Sequence, residues 1–320
     1  MMKVLIVTNV YIKHTENNNA SNFVIDQGNA IEYYHKDVKV DYFFIHGRDS
    51  NFEYVFSIPR IIKKIIKGNY DLVHIHYGLS GLFLLVPFLN IKSIVTLHGG
   101  DILVEQGLKN QVRLSKQIIK KSNGVIILND KMEQAIRGYN SNYRRIPCSV
   151  NTKLFKPLVN KIPNDRKIII FPSSRERKVK NFPLFEKTFN ILKHKYNIDC
   201  SFVEMHGMSV LDVVKLYQTC DLLLLTSISE GSPGVVKEAM ACNLPIVSTD
   251  VGDVRNNIKG VKGCAVANNM DADELADLCF KSITGEIPGV EGRKRIEELG
   301  LDDLTISNNI YDFYKEIIYG

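Results

Sequence analysis

The chain has 320 residues, 45% of them apolar, which is enough for two domains with separate cores and excludes a disordered chain. Its six cysteines show no C-x-x-C spacing, which argues against a disulfide framework or a zinc site and is typical of a reducing cytoplasm. Residues 1–150 carry 19 basic and 12 acidic side chains, whereas residues 151–320 carry 22 and 23. The basic first half therefore either attracts an anionic partner or is an ordinary solvated surface.

Short β-branched runs alternate with longer amphipathic segments along the whole chain. The first run, M-M-K-V-L-I-V-T-N-V, has no small-residue cleavage site and is interpreted as a strand rather than a secretory signal. Strands are predicted at 3–8, 38–45, 72–76, 93–97 and 124–128, and, after a polar stretch at 156–166, at 167–171, 200–204, 222–226, 245–248 and 263–267. This alternation predicts two doubly wound parallel-sheet domains, at 1–150 and 151–303, followed by a terminal helical segment at 304–320.

Two segments of the first domain contain many apolar residues and could be taken for membrane segments. Residues 79–90 form an apolar run of about 12 residues, whereas spanning a bilayer takes roughly 20, so a core helix is predicted there. Residues 58–67 predict a helix with five isoleucines on one face and basic residues elsewhere. That pattern fits a helix packed on a sheet, which we favour, and also an interfacial membrane helix, which stays open as an alternative.

Ligands of open parallel sheets bind beyond the carboxyl ends of the strands, so the loops after the strands are the candidate sites. The loop after 222–226 continues S-I-S-E-G-S-P-G-V-V-K-E. We expect Ser232 to cap a helix that has Pro233 in its first turn. The free N–H groups near Gly234 and Val235 would then face a ligand and favour negative charge or sugar oxygens. Gly231, just before the helix, is also expected to contact this ligand.

Glu230 and Glu238 flank this predicted helix start. Placed there, two carboxylates can accept hydrogen bonds from sugar hydroxyls at two depths. A glutamate in a loop and another on a helix are, taken alone, more often surface charges. Their interpretation therefore depends on the neighbouring loops.

The loop after 167–171 reads P-S-S-R-E-R-K-V-K-N and is expected to be exposed and basic. Arg175 and Lys180 bracket a turn in it and can both point at a diphosphate, arginine as a planar fork and lysine as a point charge. A solvated basic loop is the alternative. In the first domain, T-L-H-G-G-D places His98 directly after a strand, where Gly99 and Gly100 allow close backbone approach.

Two further motifs suggest metal sites, but each has a simpler interpretation. Asp271 and Asp273 in D-A-D open a predicted helix, where acidic residues cap the helix and complement its dipole. His74 and His76 in H-I-H share one strand face but lack a third clear ligand, so buried histidines are the better interpretation. No metal and no cofactor are predicted.

The ordered set of motifs resembles the family 4 glycosyltransferases, also called group 1, and the resemblance covers nearly the whole chain. Four features occur in the family's order. They are the histidine of H-G-G-D, the arginine and lysine of the basic loop, V-E-M-H-G-M at 203–208, and the two glutamates with seven residues between them. K-E-A-M-A-C-N-L-P-I-V-S-T-D-V-G-D is also typical of it. The matched positions are His98, Arg175, Lys180, Met205, His206, Gly207, Glu230 and Glu238, and Ala20 and Ser21 are expected at the donor although they differ from the family's glycines.

The resemblance implies a GT-B fold, with two Rossmann-like domains facing across a cleft, and a retaining, metal-independent transferase. The family's diphosphate would lie at Arg175 and Lys180, its donor sugar at Glu230, its donor ribose or sugar at Glu238, and its acceptor near His98. The donor would be a nucleotide diphosphate sugar, and the acceptor a saccharide or lipid-linked molecule of a bacterial surface polysaccharide or glycolipid. The resemblance also implies that segment 304–320 crosses back to the first domain. The cysteine pattern favours a cytoplasmic enzyme, and the basic N-terminal half makes an anionic membrane surface a further candidate partner.

Departures from the family pattern occur in two places. The first loop reads N-N-N-A-S-N at 17–22, with Ala20 and Ser21 where the family often has two glycines next to the donor phosphate, and the segment before the second domain reads P-C-S-V-N. Competing functions are a nucleotide-sugar 2-epimerase of the same architecture and a non-catalytic nucleotide-sugar-binding homologue. A dinucleotide-dependent dehydrogenase is disfavoured because G-x-G-x-x-G is missing after the first strand, and no nucleic-acid motif is found.

Overall fold

The structure is a computed structural model that describes residues 1–10, 23–47, 49–104, 107–285 and 290–320. It divides into two compact units. The first unit contains the described residues up to Pro147 together with Leu304–Gly320, and the second contains the described residues of Cys148–Asp303.

Strands and helices alternate through both units. The strands are β1 (Met2–Thr8), β2 (Val38–Phe44), β3 (Leu72–His76), β4 (Ser93–Thr96), β5 (Gly124–Ile127), β6 (Tyr143–Arg145), β7 (Lys167–Phe171), β8 (Cys200–Glu204), β9 (Leu222–Leu225), β10 (Ile246–Ser248) and β11 (Ala265–Val266). The helices are α1 (Phe23–Tyr34), α2 (Glu53–Gly68), α3 (Lys109–Lys121), α4 (Asp130–Ile136), α5 (Phe182–His194), α6 (Val210–Thr219), α7 (Gly234–Ala241), α8 (Val254–Asn257), α9 (Ala272–Thr284), α10 (Gly292–Glu298) and α11 (Asp303–Tyr319). Short 3₁₀ segments span Gly78–Leu85 and Lys178–Lys180.

The described residues of the first unit form a parallel sheet of order β2-β1-β3-β4-β5-β6. The order reverses at β1, because β2 lies on one side of it and β3 on the other. Its inner strands are apolar almost throughout, as expected for a sheet covered on both faces. Residues of α1 and α11 pack on one face of the sheet. On the other face lies the 3₁₀ segment Gly78–Leu85, which also contacts α2 and α3.

The terminal helix α11 belongs to the core of the first unit. Its Phe313 is fully buried and leaves no room for a side chain at Gly124 of β5, where an added Cβ would lie 2.5 Å from the Phe313 ring. Tyr314 is also buried, and its hydroxyl lies 2.6 Å from Nδ1 of His74 on β3. The last residues of the chain therefore complete the core built by its first 147.

In the second unit, the described residues form a parallel sheet of order β11-β10-β9-β7-β8. Helices α5 and α9 cover one face through a phenylalanine-rich cluster, and α6, α7 and α10 cover the other. The chain runs from β7 to β8 on one side and then to β9 on the other. The order therefore reverses between β7 and β9, and such a switch point is where open α/β sheets bind ligands.

Both predicted parallel sheets are confirmed, and every predicted strand is present within one or two residues of its expected ends. The sequence analysis missed β6, because Y-R-R is polar and lies at the sheet edge, where little apolar surface is buried. Residues 79–90 were expected to form a core helix, but they form a 3₁₀ segment that ends at Leu85, before Pro87. On α2, Ile61 and Ile65 are buried as expected, whereas Ile66 is 69% exposed.

Candidate functional site

The candidate site of the second unit lies in the loops that follow β7, β8, β9 and β10. These strands are neighbours in a parallel sheet, so their carboxyl ends share one edge. Residues that are 20 to 80 positions apart along the chain therefore meet there. Each loop is joined to the next by at least one ionic or hydrogen-bonded side-chain contact.

Lys180 and Glu230 join the loops after β7 and β9. The ammonium Nζ of Lys180 lies 2.5 Å from Oε1 of Glu230, and Oε1 also accepts a hydrogen bond of 2.7 Å from Ser227. Only 9% of the Lys180 side chain and 16% of the Glu230 side chain are exposed. Because the loss of one partner of such a pair would leave a poorly solvated charge, the pair fixes these two loops relative to each other.

The expectation that Lys180 lies in an exposed loop is therefore wrong. Lys180 ends the 3₁₀ segment and is buried, whereas Arg177 and Lys178 are exposed. The backbone of Lys180 is held as well, since its carbonyl accepts a hydrogen bond from the Thr226 hydroxyl. The sequence does not show this burial, because the carboxylate that neutralises the ammonium is 50 residues away.

Arg175 joins the loop after β7 to the end of β8. Its Nε donates to Oε2 of Glu204 at 2.6 Å, and its backbone N–H donates to Oε1 at 2.7 Å. These two hydrogen bonds, the backbone one first, lower the pKa of Glu204 below its usual range. The guanidinium lies 4.9 Å from the ring centroid of Phe182, and about half of the Arg175 side chain is exposed. Sequence reasoning gave Glu204 no role, although it ends a predicted strand.

Ser232 does not cap α7, contrary to expectation. The N-cap residue is Pro233, which is extended and makes no side-chain cap. The Ser232 hydroxyl instead donates to Oδ2 of Asp253 at 2.5 Å and accepts from Nζ of Lys237. Lys237 is fully buried, and its Nζ lies 3.4 Å from the same Asp253 oxygen. Because the Ser232 hydroxyl bridges this buried ammonium and Asp253, it does not cap the start of α7.

The sequence analysis missed Lys237 and Asp253. The available signal was a lysine inside the apolar run V-V-K-E-A-M, where a buried charge needs a partner. The close approach of the loops after β9 and β10 also depends on Gly252. Its φ is 58°, and an added Cβ would lie 2.8 Å from the Gly231 carbonyl oxygen.

Helix α7 begins at Gly234 and presents its first N–H groups, near Gly234 and Val235, at the same edge of the sheet. Such groups have no acceptor within the helix, and the helix dipole favours an anion there. Glu238, one turn into α7, accepts a hydrogen bond of 2.9 Å from the Tyr217 hydroxyl. Burial and the nearby Glu238 raise the pKa of Tyr217 well above its usual value, so the phenol remains a donor.

The residues after β8 extend this edge. Met205 is half-buried against the core, and its N–H donates to the Phe171 carbonyl at 2.9 Å. His206 and Gly207 are exposed, and Gly207 has a φ of 67°. The predicted donor residues of the second domain thus lie on loops of one sheet edge, apart from Gly234, Val235 and Glu238, which are on α7.

In the first unit, Asp101 organises the H-G-G-D loop. It is 1% exposed, and its carboxylate accepts the N–H groups of Gly78, His98 and Gly99 at 3.0, 2.9 and 2.9 Å. Burial raises the pKa of Asp101, and these hydrogen bonds oppose the rise. The carboxylate therefore joins the loop after β4 to the start of the 3₁₀ segment after β3. The sequence analysis quoted this aspartate without giving it a role.

His98 lies against other aromatic side chains. Its ring stacks on Tyr77 with centroids 4.3 Å apart, and its Nε2 lies 3.1 Å from Nδ1 of His76. Within the described part of the chain, the buried Nε2 of His76 has no partner. A proton on Nε2 of His76 would therefore be buried without an acceptor. We place the proton on Nδ1 instead, from which it is donated to Nε2 of His98. His98 then carries its own proton on Nδ1, as a donor.

Burial keeps these histidines neutral. Desolvation lowers the pKa of His98 and of His74 to about 3, and lowers the pKa of His76 well below its usual value. His74 is hydrogen-bonded at both ring nitrogens, to Tyr314 and to Thr96 at 2.6 Å each. The expectation of buried histidines in H-I-H is confirmed.

Several predicted features lie outside the site as described. Ala20 and Ser21 fall outside the described residues. Asp271 caps α9, accepting from the Glu274 N–H at 2.9 Å, as expected.

Among the residues that the structure describes, no group of three or more His, Cys, Asp and Glu side chains is arranged to hold a metal. Nor does any helix in the described ranges have the length and apolar character to cross a membrane.

Comparison with known proteins identifies the family. The model of Glycosyltransferase Family 4 matches residues 13–154, and that of Glycosyl transferases group 1 matches residues 186–284. An uncharacterized glycosyltransferase of Methanocaldococcus jannaschii is 28% identical over 272 residues, which cover 77% of this chain and 74% of that protein. The chain belongs to the family 4, or group 1, glycosyltransferases.

Solved structures identify the fold. Sucrose-phosphate synthase from Thermosynechococcus elongatus superposes with a TM-score of 0.78 at 17% identity, over 99% of both chains. Anabaena HepE, solved in complex with UDP-glucose, superposes with a TM-score of 0.73 at 14% identity, over 99% of this chain and 100% of that one. The predicted GT-B fold class is confirmed.

The buried histidines predict acid sensitivity of the fold. Between pH 6.5 and about 3, an imidazole is protonated in the unfolded chain and neutral in the native one, so the free energy of unfolding should fall as the pH falls through this window. For fully buried His74, the slope is at most about 1.4 kcal/mol per pH unit. Urea titrations at pH 7.5, 6.0 and 5.0 measure this slope. His74→Asn should reduce the change in free energy of unfolding with pH, whereas His194→Asn, at an exposed histidine, should not. Equal slopes in the two variants would contradict the role of the buried histidine.

The buried ion pair predicts a coupled loss of stability. Lys180→Met leaves Glu230 without its counterion and should cost about 3–5 kcal/mol in free energy of unfolding. The double variant K180M/E230Q removes both charges and should recover much of that loss. Lys178→Met, on the same 3₁₀ segment but exposed, should cost less than about 0.5 kcal/mol. Denaturant titration of the unchanged chain, E230Q and these three variants measures the coupling, and additive effects of K180M and E230Q would disprove it.

Proposed function

We propose that this glycosyltransferase moves a sugar from a nucleotide diphosphate sugar to a hydroxyl acceptor with retention of anomeric configuration. The observation that carries the proposal is the Lys180–Glu230 pair, which joins the two loops at the switch point of the second sheet. Such a position is where ligands bind in this kind of sheet. Membership of the family, and the UDP-glucose complex of a protein with the same fold, support it.

The donor diphosphate is assigned to Arg175, Lys180 and the N-terminus of α7. Each cation already has a glutamate partner, so the diphosphate would meet two ion pairs rather than two free charges. An ammonium has three N–H donors and a guanidinium five, and the ion pairs therefore leave donors for phosphate oxygens. Because the glutamates hold the cations in place, little reorganisation is needed when charge develops on the leaving group.

The remaining contacts of the donor follow from this placement. Glu230 is assigned to donor sugar hydroxyls, through the oxygen opposite the one bonded to Lys180. Glu238 is assigned to the ribose or the sugar, and Met205, His206 and Gly207 to the nucleobase. His98, as a neutral donor in the first unit, is assigned to the acceptor side near the transferred sugar.

The proposed chemical step needs neither a metal nor a strong general base. The bond from C1 of the sugar to the phosphate oxygen breaks on the face where the acceptor oxygen bonds to C1. The acceptor proton passes to the departing phosphate oxygen. The residues of this chain then have to stabilise the charge on the diphosphate, which Arg175, Lys180 and the α7 N–H groups are positioned to do. The acceptor is proposed to be a saccharide or lipid-linked molecule of bacterial surface polysaccharide or glycolipid synthesis.

Incubation of the full chain with UDP-glucose, UDP-N-acetylglucosamine and GDP-mannose, with and without octyl glycosides as acceptors, tests the function. We expect release of nucleoside diphosphate to require an acceptor, and the new glycosidic bond to keep the donor's anomeric configuration by NMR. Diphosphate release without acceptor, with inversion at C2, would identify a 2-epimerase instead. Donor binding in a thermal-shift assay without any transfer would identify a non-catalytic homologue.

Lys180→Met should lower kcat by about 10²–10³, because it removes one donor to the leaving group. The exposed Lys178→Met variant should keep near-normal turnover. Since K180M is also expected to be less stable, initial rates should be measured at a temperature where circular dichroism shows both variants folded. K180M/E230Q should remain inactive although its stability recovers, and a restored rate in that protein would contradict the assignment of Lys180.

A further inference from the structure

His98 is restrained by contacts on its backbone and on its ring. Its backbone N–H, like that of Gly99, donates to the buried carboxylate of Asp101 at 2.9 Å. Its ring stacks on Tyr77, with the centroids 4.3 Å apart, and lies 5.1 Å from the ring of Phe23. Since these contacts restrain the ring, the position of its proton decides which atoms of a ligand it can bind.

The neighbour that controls this proton is His76, at the end of β3. Its Nδ1 lies 3.1 Å from Nε2 of His98, so one of these two nitrogens carries a hydrogen and the other accepts it. If His98 donated, a neutral His76 would carry its proton on Nε2, which is buried without a partner among the residues that the structure describes. A buried N–H without an acceptor is costly, and donation from Nδ1 of His76 avoids it. His76 is therefore the donor of the pair.

Burial keeps this pair of histidines neutral. Desolvation lowers the pKa of His98 to about 3 and the pKa of His76 well below its usual value. A neutral imidazole has a single N–H and a single acceptor nitrogen. Because Nε2 of His98 accepts from His76, the N–H of His98 is on Nδ1 and its ring lone pair is already used. His98 can therefore donate a hydrogen bond to a ligand but is not placed to act as a base.

We propose that His76 is a positioning residue that fixes His98 as an Nδ1–H donor, and that the ligand atom facing this N–H is a neutral oxygen of a sugar. A hydroxyl or ether oxygen has the lone pair that the N–H requires, whereas the ammonium of an amino sugar has none. Packing alone would require only a ring at position 76, without a preferred tautomer of His98. The proposal rests on the proposed function, because it names the ligand atom at the residue assigned to the acceptor side.

NMR of the full chain with ¹⁵N-labelled histidine tests the tautomer without donor or acceptor. The signals of His98 and His76 are assigned as those missing from His98→Asn and His76→Ala. At pH 7.5 we expect both rings to be protonated on Nδ1, with a scalar coupling between Nδ1 of His76 and Nε2 of His98 across the hydrogen bond. A proton on Nε2 of His98 in the unchanged chain would overturn the proposal.

Two matched variants test the role of His76. H76A removes the donor and leaves space for water, which can both donate and accept, so we expect both tautomers of His98. H74A removes a histidine of equal burial on the same strand, hydrogen-bonded to Tyr314 and Thr96, and should keep His98 protonated on Nδ1 alone. An unchanged tautomer in H76A, or an equal change in both variants, would contradict the role of His76. If H76A did not fold, the spectrum of the unchanged chain would still decide which ring donates.

Transfer rates test the ligand atom. H98N places an amide N–H near the position of Nδ1, whereas H98Q places its amide near Nε2. We expect kcat/KM to be about tenfold higher for H98N than for H98Q, the effect of one directed hydrogen bond. H76A should also lower kcat/KM about tenfold, and H74A should not, at a temperature where circular dichroism shows both folded. Equal rates for H98N and H98Q would overturn the donor role, whereas absence of transfer by the unchanged chain would contradict only the proposed function.

Discussion

The candidate donor site depends on the need to neutralise lysines that the fold buries at one edge of the second sheet. A parallel sheet brings the ends of distant strands together, and the loops there carry charged side chains that pack against each other. Lys180 is neutralised by Glu230, and Lys237 by Asp253 with Ser232 between them. Breaking either pair would leave a charge in a poorly solvated place. The positions of the loops are therefore set by these electrostatic partners.

Buried ionisable side chains are stabilised differently in the two units. The second unit pairs opposite charges, whereas the first holds two buried histidines, His74 and His76, and the partly buried His98 in the neutral form. His74 is hydrogen-bonded to the hydroxyls of Tyr314 and Thr96, and His76 is hydrogen-bonded to His98. A neutral His98 is suited to donating one directed hydrogen bond. The paired cations of the second unit are suited to an anion. This contrast fits the proposed division between an acceptor side and a donor side.

The surface of α2 is a separate feature of the chain. Its Ile61 and Ile65 contribute to the core, whereas Val55, Phe56 and Ile66 of the same helix are exposed. The basic excess that composition places in the first half is concentrated on α2 and α3, close to this apolar surface.

The sequence by itself determined the alternation of strands and helices, because strands buried on both faces must be apolar and the segments between them are amphipathic. It also singled out Arg175, Lys180, Glu230 and His98 as candidates, since they follow strands and match the motifs of the family in order. The polar edge strand β6 gave no such signal. Which contact each site residue makes was decided only by the tertiary structure. Lys180 is buried because β9 lies beside β7 and supplies Glu230, and Ser232 leaves the helix end because Lys237 and Asp253 take its hydroxyl. The order of the strands in the sheet brings these partners together, and local residue patterns do not determine that order.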